Sequence, residues 1–226
     1  SGCSIIIKPS ALSPLSAYIL GKIIHDIDFP AGVVNILSGP TSEVATTLSK
    51  SKIPTVLTMI GSTATGQRVI ADSATSIKKL SMELGGNAPF VVFEDAAIDK
   101  TLDLAIGIKF GNSGQICVAA NRFFVHKSLY NSFLEKYVER VKSLTLGFGI
   151  DQKPDMGPMV TRNDRDRMFD LINDAIEKGG VLLAGGEIPQ GMEDGNWMEP
   201  TVISEMTTEM RLFTHETFGL SLIHIS

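Results

Sequence analysis

A cysteine with polar, flexible neighbours is the most reactive side chain in this sequence. Cys117 follows Asn112-Ser113-Gly114-Gln115, a stretch that suits a thiol held at a cleft. A thiolate is the strongest nucleophile that a side chain offers near neutral pH. A lone cysteine is also often a small core residue, so a packing role for Cys117 stays open on residue type alone. The other cysteine, Cys3, stands at the start of the first predicted strand and is interpreted as a packing residue.

A carboxylate stands at the end of a predicted strand, directly before flexible backbone. Glu83 precedes Leu84-Gly85-Gly86. A carboxylate in this position is able to act as a general base, because glycine lets a ligand or another backbone segment approach closely. A solvated charge at a strand end is the alternative, and the residue type alone does not decide between the two.

Two further stretches suit the binding of a phosphate or a ribose. Gly61-Ser62-Thr63-Ala64-Thr65-Gly66 connects a predicted strand to a predicted helix, where free N–H groups and the helix dipole favour an anion. The stretch is not a G-x-G-x-x-G fingerprint, so an ordinary capped turn stays open as the alternative. Lys8 follows a strand and precedes Pro9-Ser10, so its amine either reaches a ribose or phosphate or is simply exposed.

Strands and helices that would position these residues alternate along the first 84 residues. The predicted strands are 4–8, 33–37, 55–60 and 77–84, and the predicted helices are 14–28, 42–50 and 66–74. The first helix is marked by a stripe of Leu15, Ile19, Ile23 and Ile27. Strands separated by helix-length segments predict βαβ units, and hence a mostly parallel sheet covered by helices on both faces.

The pattern changes at the paired glycines Gly85-Gly86, which we interpret as a boundary. Beyond it we predict strands over 89–93, 121–126 and 181–184 and helices over 98–110 and 161–178, the latter capped by Thr161. Between them lies a long amphipathic helix with a buried stripe of Leu129, Phe133, Tyr137, Val141 and Leu144. The fold class is therefore α/β.

The composition excludes several classes of protein. The 226 residues are 43% hydrophobic and 20% charged with a net charge of −5, which excludes a disordered chain. Two cysteines exclude a disulfide scaffold and fit a reducing compartment, so we expect a cytoplasmic protein. Without a dense basic run or about 18 consecutive apolar residues, we expect neither nucleic acid nor a membrane as a partner. The four histidines lack metal-ligand spacing, so we predict no metal site.

Several motifs, taken in order, resemble those of the aldehyde dehydrogenase superfamily. Met82-Glu83-Leu84-Gly85-Gly86-Asn87 resembles the family's general-base motif. Asn112-Ser113-Gly114-Gln115-Ile116-Cys117 resembles its nucleophile motif, at the separation that the family shows. Glu216-Thr217-Phe218-Gly219 resembles the segment that holds the nicotinamide ribose. Further resemblances are Lys8-Pro9-Ser10, Gly61-Ser62, Met156-Gly157-Pro158 and Glu199-Pro200-Thr201. The resemblance covers residues 1–219.

The resemblance implies the aldehyde dehydrogenase fold in incomplete form. Residues 1–84 would be part of a Rossmann-like, parallel-sheet cofactor domain, and residues 85–219 part of an α/β catalytic domain. Cys117 and Glu83 would be the catalytic residues. The implied cofactor-binding residues are Lys8, Pro9, Ser10, Ala11, Gly61, Ser62, Leu84, Glu216 and Phe218.

The same resemblance implies a reaction with a small-molecule aldehyde and NADP or NAD. The Cys117 thiolate attacks the aldehyde and forms a thiohemiacetal, and hydride transfer to the nicotinamide leaves a thioester. Glu83 then activates the water that releases the carboxylic acid. A homo-oligomeric parent protein is also implied.

Residues 83–93 and 117–122 resemble succinate-semialdehyde dehydrogenases most, with two departures. Gly111 stands where those enzymes usually carry an arginine that pairs with the substrate carboxylate. Ala119 stands where some relatives have a second cysteine. Ala11 replaces a glutamate that would repel a 2′-phosphate, which favours NADP or the use of both nucleotides.

The two ends of the sequence suggest a piece of a longer protein. It begins Ser-Gly-Cys-Ser without an initiator methionine, and residues 220–226 resemble nothing downstream in the family, so we predict a non-family tail. Three hypotheses therefore stay open. They are an aldehyde-oxidising enzyme represented by a fragment, a fragment that binds dinucleotide without turnover, and a cysteine esterase acting through Cys117 and Glu83.

Overall fold

The computed structural model describes residues 2–150, 152–219 and 224–225. The chain divides into two compact units, Ser1–Leu84 and Gly85–Ser226. In the described part of the chain, no helix has both the length and the apolar character that a membrane crossing requires.

The first unit is built from two β–α–β segments joined by a helix. Its elements are β1 (Ile5–Ile7), α1 (Leu15–Asp26), β2 (Val34–Ile36), α2 (Thr41–Lys50), β3 (Val56–Gly61), α3 (Thr63–Ser73) and β4 (Lys79–Leu84). β1 pairs with β2 and β3 with β4, and both pairs are parallel, as the alternation of elements predicts. The expected single sheet is not found among the described residues, because each pair forms a two-stranded sheet of its own.

Helix α3 begins three residues earlier than the sequence pattern suggests. Ser62 has an extended backbone and its Oγ accepts a hydrogen bond from the Thr65 N–H at 3.2 Å, which makes it the N-cap. An N-cap hydroxyl satisfies one of the N–H groups that a helix start leaves unpaired. The predicted start at Gly66 was wrong because the apolar pattern begins only after this polar first turn.

Helix α1 carries its apolar stripe at the surface. Leu15 and Ile19 are 71% and 61% exposed, Ile23 and Ile27 are exposed as well, and none of the residues of α1 is buried. The predicted helix is confirmed, but its apolar face contributes little to the interior of the first unit.

Within its described residues, the second unit contains a three-stranded parallel sheet and a two-stranded antiparallel sheet. Its elements are β5 (Ala88–Val92), α4 (Ile98–Phe110), a 3-10 turn (Gly111–Gly114), β6 (Ala120–Val125), α5 (Tyr130–Lys142), α6 (Arg162–Glu177), β7 (Val181–Ala184), β8 (Val202–Ser204), α7 (Arg211–Thr214) and β9 (His224–Ile225). The parallel order is β5-β6-β9, and β7 pairs with β8. Of the predicted tail, residues 220–223 and 226 lie outside the described residues. The sequence pattern did not indicate β8 or α7.

Two apolar clusters of described residues stabilise the second unit. In the first, the α5 residues Phe133, Tyr137 and Val141 are fully buried, which confirms the predicted stripe, and the ring of Tyr137 lies 5.5 Å from that of Phe123 in β6. Complete burial of one such side chain contributes about 1.5–3 kcal/mol. The second cluster lies along α6 and β8; its members are Met159, Met168, Leu171, Ile172, Ala175, Met198, Ile203, Met206, Met210 and Leu212. Thr161 caps α6 as predicted, with its Oγ1 3.1 Å from the Asp164 nitrogen.

Candidate active site

Cys117 lies in an exposed loop between α4 and β6, after an unusual backbone turn. Asn112, Ser113 and Gly114 have φ values of +51°, +57° and +71°. The left-handed conformation costs about 1–2 kcal/mol for a residue with a side chain. Two such residues in succession therefore need compensating contacts nearby.

Side chains of the turn supply those contacts to a distant segment. The Ser113 hydroxyl donates to the Gly157 carbonyl at 2.9 Å and accepts from the Gly157 N–H at 3.1 Å. The Gln115 side chain accepts from the Val160 N–H at 2.9 Å and donates to the Pro158 carbonyl at 3.3 Å. The loop that carries Cys117 is thus held against residues 157–160 by four hydrogen bonds.

The same loop packs directly on the segment Glu216-Thr217-Phe218-Gly219. A Cβ atom added to Gly114 would lie 2.1 Å from the Gly219 carbonyl oxygen, a distance that excludes any side chain. Together with its positive φ, this contact requires glycine at position 114. Two motifs that lie about 100 residues apart in the sequence are therefore in van der Waals contact.

Glu216 is held at both its side chain and its backbone. A Cβ atom on Gly85 would lie 2.0 Å from a Glu216 carboxylate oxygen, so the carboxylate occupies the space that glycine leaves open. Arg167 of α6 donates to the Glu216 carbonyl at 3.0 Å and to the Thr217 carbonyl at 2.9 Å. Phe218 follows with a φ of +43° and a partly exposed ring.

A buried lysine lies behind these segments. The Lys109 ammonium donates to Asn121 Oδ1 at 2.8 Å and to Thr217 Oγ1 at 3.4 Å, and the Thr217 hydroxyl donates to the same Asn121 oxygen at 2.7 Å. Asn121 Nδ2 donates to the Gly86 carbonyl at 3.3 Å. Burial lowers the pKa of Lys109 from 10.5 to about 7, because removal from water disfavours the charged form. We call Lys109, Asn121 and Thr217 the Lys109 cluster.

The segment after Gly86 is fixed by an amide and a guanidinium. Asn87 Nδ2 donates to the Phe213 carbonyl at 2.7 Å, and Arg122 Nε donates to the Asn87 carbonyl at 2.8 Å. Within the second unit, residues 85–87, 112–117 and 216–219 are thereby held together.

In the first unit, the carboxyl ends of β3 and β4 bring four of the predicted site residues together. Gly61 pairs in register with Leu84 and Ile60 with Glu83, so Glu83 lies beside the turn that leads into α3. The Glu83 side chain is exposed. The Leu84 side chain packs on α3, since a Cβ atom on Gly66 would lie 2.8 Å from it.

A small pocket lies at the carboxyl ends of β1 and β2. Its volume is about 160 Å³, and it is lined by Pro9, Ser10, Ala11, Pro14, Tyr18, Ser38 and Gly39. The Tyr18 and Ser38 hydroxyls form a hydrogen bond across it. The Lys8 ammonium lies 2.8 Å from the Pro9 carbonyl. The carboxyl ends of parallel strands are where open α/β sheets bind ligands.

The predicted site residues therefore form two groups. Glu83 and the predicted cofactor residues up to Leu84 belong to the first unit, whereas Cys117, Glu216 and Phe218 belong to the second. The pairing of Glu83 with Cys117 stays a prediction. In the described residues, no group of three or more His, Cys, Asp or Glu side chains is arranged to hold a metal ion.

Sequence reasoning missed the Lys109 cluster, Arg167 and two lining residues of the pocket, Tyr18 and Ser38. One signal was present for Lys109, because it follows Leu102 and Ala105 at helical spacing on the buried face of α4. A lysine on such a stripe indicates a buried charge. The partners of Arg167 lie about 50 residues away, and no local pattern identifies them.

Comparison with known proteins identifies the family. The family model described as "Aldehyde dehydrogenase family" matches residues 1–224.

The chain belongs to the aldehyde dehydrogenase family. The matched range extends to residue 224, into residues 220–226, which we predicted from the sequence to be a non-family tail.

Relatives of this aldehyde dehydrogenase chain include proteins with several named substrates. It is 38% identical to 3-sulfolactaldehyde dehydrogenase of Pseudomonas putida over 97% of this chain and 45% of the relative. It is also 38% identical to succinate-semialdehyde dehydrogenase [NADP(+)] 1 of Schizosaccharomyces pombe, over 97% of this chain and 44% of that protein. The chain thus spans less than half the length of these curated relatives.

Solved structures agree with this membership. A crystal structure of an E. coli NADP dependent enzyme superposes on 100% of the chain with a TM-score of 0.96 and 35% identity, and the chain covers 47% of it. The structure of 3,6-anhydro-L-galactose dehydrogenase in complex with NAP gives a TM-score of 0.94 and 35% identity over 98% of this chain and 47% of the other. The α/β aldehyde dehydrogenase fold is therefore confirmed.

Proposed function

We propose that the protein containing this chain oxidises an aldehyde to the carboxylic acid, with NADP or NAD as the hydride acceptor. The observation that carries this proposal is the packing of the Cys117 loop on residues 216–219 through Gly114 and Gly219. It joins a candidate nucleophile to the segment that we assign to the nicotinamide ribose. The relatives named as aldehyde and semialdehyde dehydrogenases support the same reaction class.

The first unit fits the adenosine and phosphate parts of a dinucleotide. Pro9, Ser10 and Ala11 line the pocket at the ends of β1 and β2, and we assign Lys8 beside them to the ribose or its phosphate. Gly61 and Ser62 end β3 and cap α3, where helix N–H groups favour a phosphate. Leu84, Glu216 and Phe218 complete the proposed set of contacts.

NADP is the proposed preference, because the chain offers no carboxylate at position 11. Ala11 is exposed at the pocket and leaves a 2′-phosphate unopposed. The S. pombe relative is named as NADP(+)-dependent, which supports this choice. The nucleotide, when bound, accepts the hydride from the substrate.

The proposed chemistry of the chain begins with the exposed thiol of Cys117. Its thiolate bonds to the carbonyl carbon of the aldehyde, and the Cys117 backbone N–H stabilises the oxyanion of the thiohemiacetal. Loss of hydride leaves a thioester on the sulfur. Glu83 takes a proton from the water that attacks this thioester, which releases the acid and restores the thiolate.

The substrate is proposed as a small aldehyde, with succinate semialdehyde as one candidate. Gly111 ends helix α4 and offers no cation to a substrate carboxylate. An acidic semialdehyde would therefore need another cation to be preferred. A panel of neutral and acidic aldehydes of matched length tests this directly.

A homo-oligomeric state and a cytoplasmic location stay predictions for the same protein.

The two cysteines provide a matched test of the function, because both are exposed. The packing role predicted for Cys3 was therefore wrong. Cys117→Ala removes the proposed nucleophile, and Cys3→Ala removes a thiol that has no role in the proposal. The rate of nucleotide reduction in the presence of aldehyde should fall below detection in Cys117→Ala. In Cys3→Ala it should stay within about twofold of the rate of the unmutated protein, which is called the parent in the comparisons of variants below. Substantial turnover in Cys117→Ala would refute the proposal. Nucleotide binding without turnover in the unmutated protein would support the hypothesis of a fragment that only binds dinucleotide. Hydrolysis of an aryl ester in the absence of nucleotide would support the hypothesis of a cysteine esterase.

A further inference from the structure

Lys109 is a buried cation that the proposed reaction does not use. It is fully buried near the end of α4, and both hydrogen-bond acceptors identified for it, on Asn121 and Thr217, are neutral. Burial of an ammonium without a carboxylate disfavours the folded state. Its neighbours on the same face of α4, Leu102 and Ala105, are apolar. An apolar side chain at this position would avoid the unfavourable desolvation.

The contacts of Lys109 join three segments of the candidate active site. Lys109 precedes the Cys117 loop, Asn121 follows it in β6, and Thr217 lies between Glu216 and Phe218. Asn121 extends the network to Gly86 through its amide nitrogen. All three side chains are buried, so their hydrogen bonds are shielded from competition with water.

We propose that Lys109 is a positioning residue, which acts through Thr217 to hold Glu216 and Phe218 in place for the nicotinamide ribose. This inference rests on the proposed function, because it assigns Glu216 and Phe218 to the cofactor. It goes beyond that function by naming a fully buried residue that is outside the proposed set of cofactor and substrate contacts.

Residues 216–219 have further contacts besides those of the Lys109 cluster. Arg167 binds two backbone carbonyls, and Gly219 packs on Gly114, but neither contact involves the side chain of Thr217. The cluster binds that side chain directly, since its hydroxyl accepts from Lys109 and donates to Asn121. Because Glu216 and Phe218 flank Thr217 in the sequence, a shift of the backbone at Thr217 moves both of them.

The sharpest test compares two substitutions of one residue. Thr217→Val keeps the shape of the side chain and removes its hydroxyl, whereas Thr217→Ser keeps the hydroxyl. Lys109→Met removes the cation at similar length. Matched controls are Thr214→Val in α7 and Lys100→Met on α4, both at exposed positions.

Hydrogen–deuterium exchange without nucleotide provides the first measurement. In Thr217→Val and Lys109→Met, exchange of the backbone amides of 216–219 should rise by at least about fivefold to tenfold. Each variant loses two hydrogen bonds of the cluster, and the net loss of even one buried hydrogen bond has about this effect. Exchange within α5 should not change. Thr217→Ser and both controls should stay within about twofold of the parent.

Steady-state kinetics provides the second measurement. Thr217→Val should raise the nucleotide KM about tenfold with a smaller change in kcat, and Thr217→Ser should restore it. Unchanged exchange at 216–219, an equal rise throughout α5, or an unchanged nucleotide KM in Thr217→Val would each overturn the inference. If Lys109→Met fails to fold, the comparison of Thr217→Val with Thr217→Ser tests the inference by itself. Absence of nucleotide binding in the parent would instead count against the proposed function and leave the exchange result valid.

Discussion

The two units of this chain position their candidate functional residues in different ways. In the first unit, Gly61, Ser62 and Glu83 are placed by the ends of paired strands and the start of a helix. In the second, Cys117 and Glu216 are placed by side chains that bond to distant segments, such as Ser113 to Gly157 and Arg167 to residues 216–217. Local backbone geometry thus governs one group, and long-range side-chain contacts govern the other.

The two units also differ in how far their amphipathic helices bury apolar side chains. The first unit exposes the apolar stripe of α1, whereas the second buries the stripe of α5 completely at Phe133, Tyr137 and Val141. A substitution at a contact between segments should therefore have the largest effect in the second unit, and a capping substitution a smaller effect in the first.

Gly114→Ala should have the largest effect, because it challenges the contact between the Cys117 loop and Gly219. The added Cβ would lie 2.1 Å from a backbone oxygen at a φ of +71°. We expect the free energy of unfolding to fall by about 2 kcal/mol or more. Urea unfolding followed by the fluorescence of Trp197, the single tryptophan and a buried residue of the second unit, measures this.

Gly149→Ala is the control for that substitution, since a Cβ there meets nothing within 4 Å. Its unfolding midpoint should match the parent. A Gly114→Ala protein as stable as the control would show that the two segments are not in contact.

Lys109→Met should change how the stability of the second unit depends on pH. The pKa of Lys109 is about 7 in the folded protein and 10.5 when solvated. Between these values the unfolded chain binds a proton that the folded chain has released, so stability rises with pH by up to about 1.4 kcal/mol per unit. Below pH 7 both states are protonated and the contribution is constant.

The difference between the parent and Lys109→Met isolates this contribution from other titrating groups. Unfolding by urea at several pH values from 6 to about 10, again followed by Trp197, gives the two curves. The parent should gain stability relative to the variant across this range. Parallel curves would show that Lys109 titrates as an exposed lysine does.

Ser62→Ala should have a moderate effect confined to the first unit. It removes the hydroxyl that accepts from Thr65 N–H and should destabilise the start of α3 by about 1 kcal/mol. Hydrogen exchange of the Thr65 and Gly66 amides reports on this directly, and Ser42→Ala at the exposed start of α2 is the control. Equal protection in both variants would argue against the cap.

Ala11→Glu should have the smallest effect, on nucleotide choice alone. A carboxylate at the pocket would repel a 2′-phosphate, and a partly exposed charge pair contributes up to about 1 kcal/mol, or about fivefold. The ratio of NADP to NAD efficiency should fall by that factor. Ala71→Glu, at an exposed position of α3, should leave the ratio unchanged. An unaltered ratio in Ala11→Glu would place the 2′-phosphate elsewhere.

The features that the sequence predicted well are those whose pattern depends on residues close together in the chain. The α5 stripe, the Thr161 cap and the strand–helix turn at Gly61 and Ser62 each depend on neighbours within a few positions, and the structure has all three. Strand β8 was missed because its three residues are buried on both faces and show no alternation.

The candidate site was predictable in part for the same physical reason. Cys117 and Glu216 carry recognisable motifs, but the contacts that hold them involve Gly157, Arg167 and Lys109. The hydrogen bonds from Gly157 to Ser113, from Arg167 to Glu216 and from Lys109 to Thr217 join residues 44 to 108 positions apart along the chain. Separations of that length leave no local pattern that identifies the partner, although the helical spacing of Lys109 with Leu102 and Ala105 does indicate its burial.

The proposed division of labour, with Cys117 as nucleophile and Glu83 as general base, is the central claim, and first-turnover kinetics of Glu83→Gln tests it most directly. If Glu83 activates the hydrolytic water, the variant should still release one equivalent of reduced nucleotide per site in a burst. Its steady-state rate should then fall about 10²–10⁴-fold, while Glu43→Gln behaves as the parent. Loss of the burst with steady-state turnover intact, or no change in either phase, would contradict the assignment.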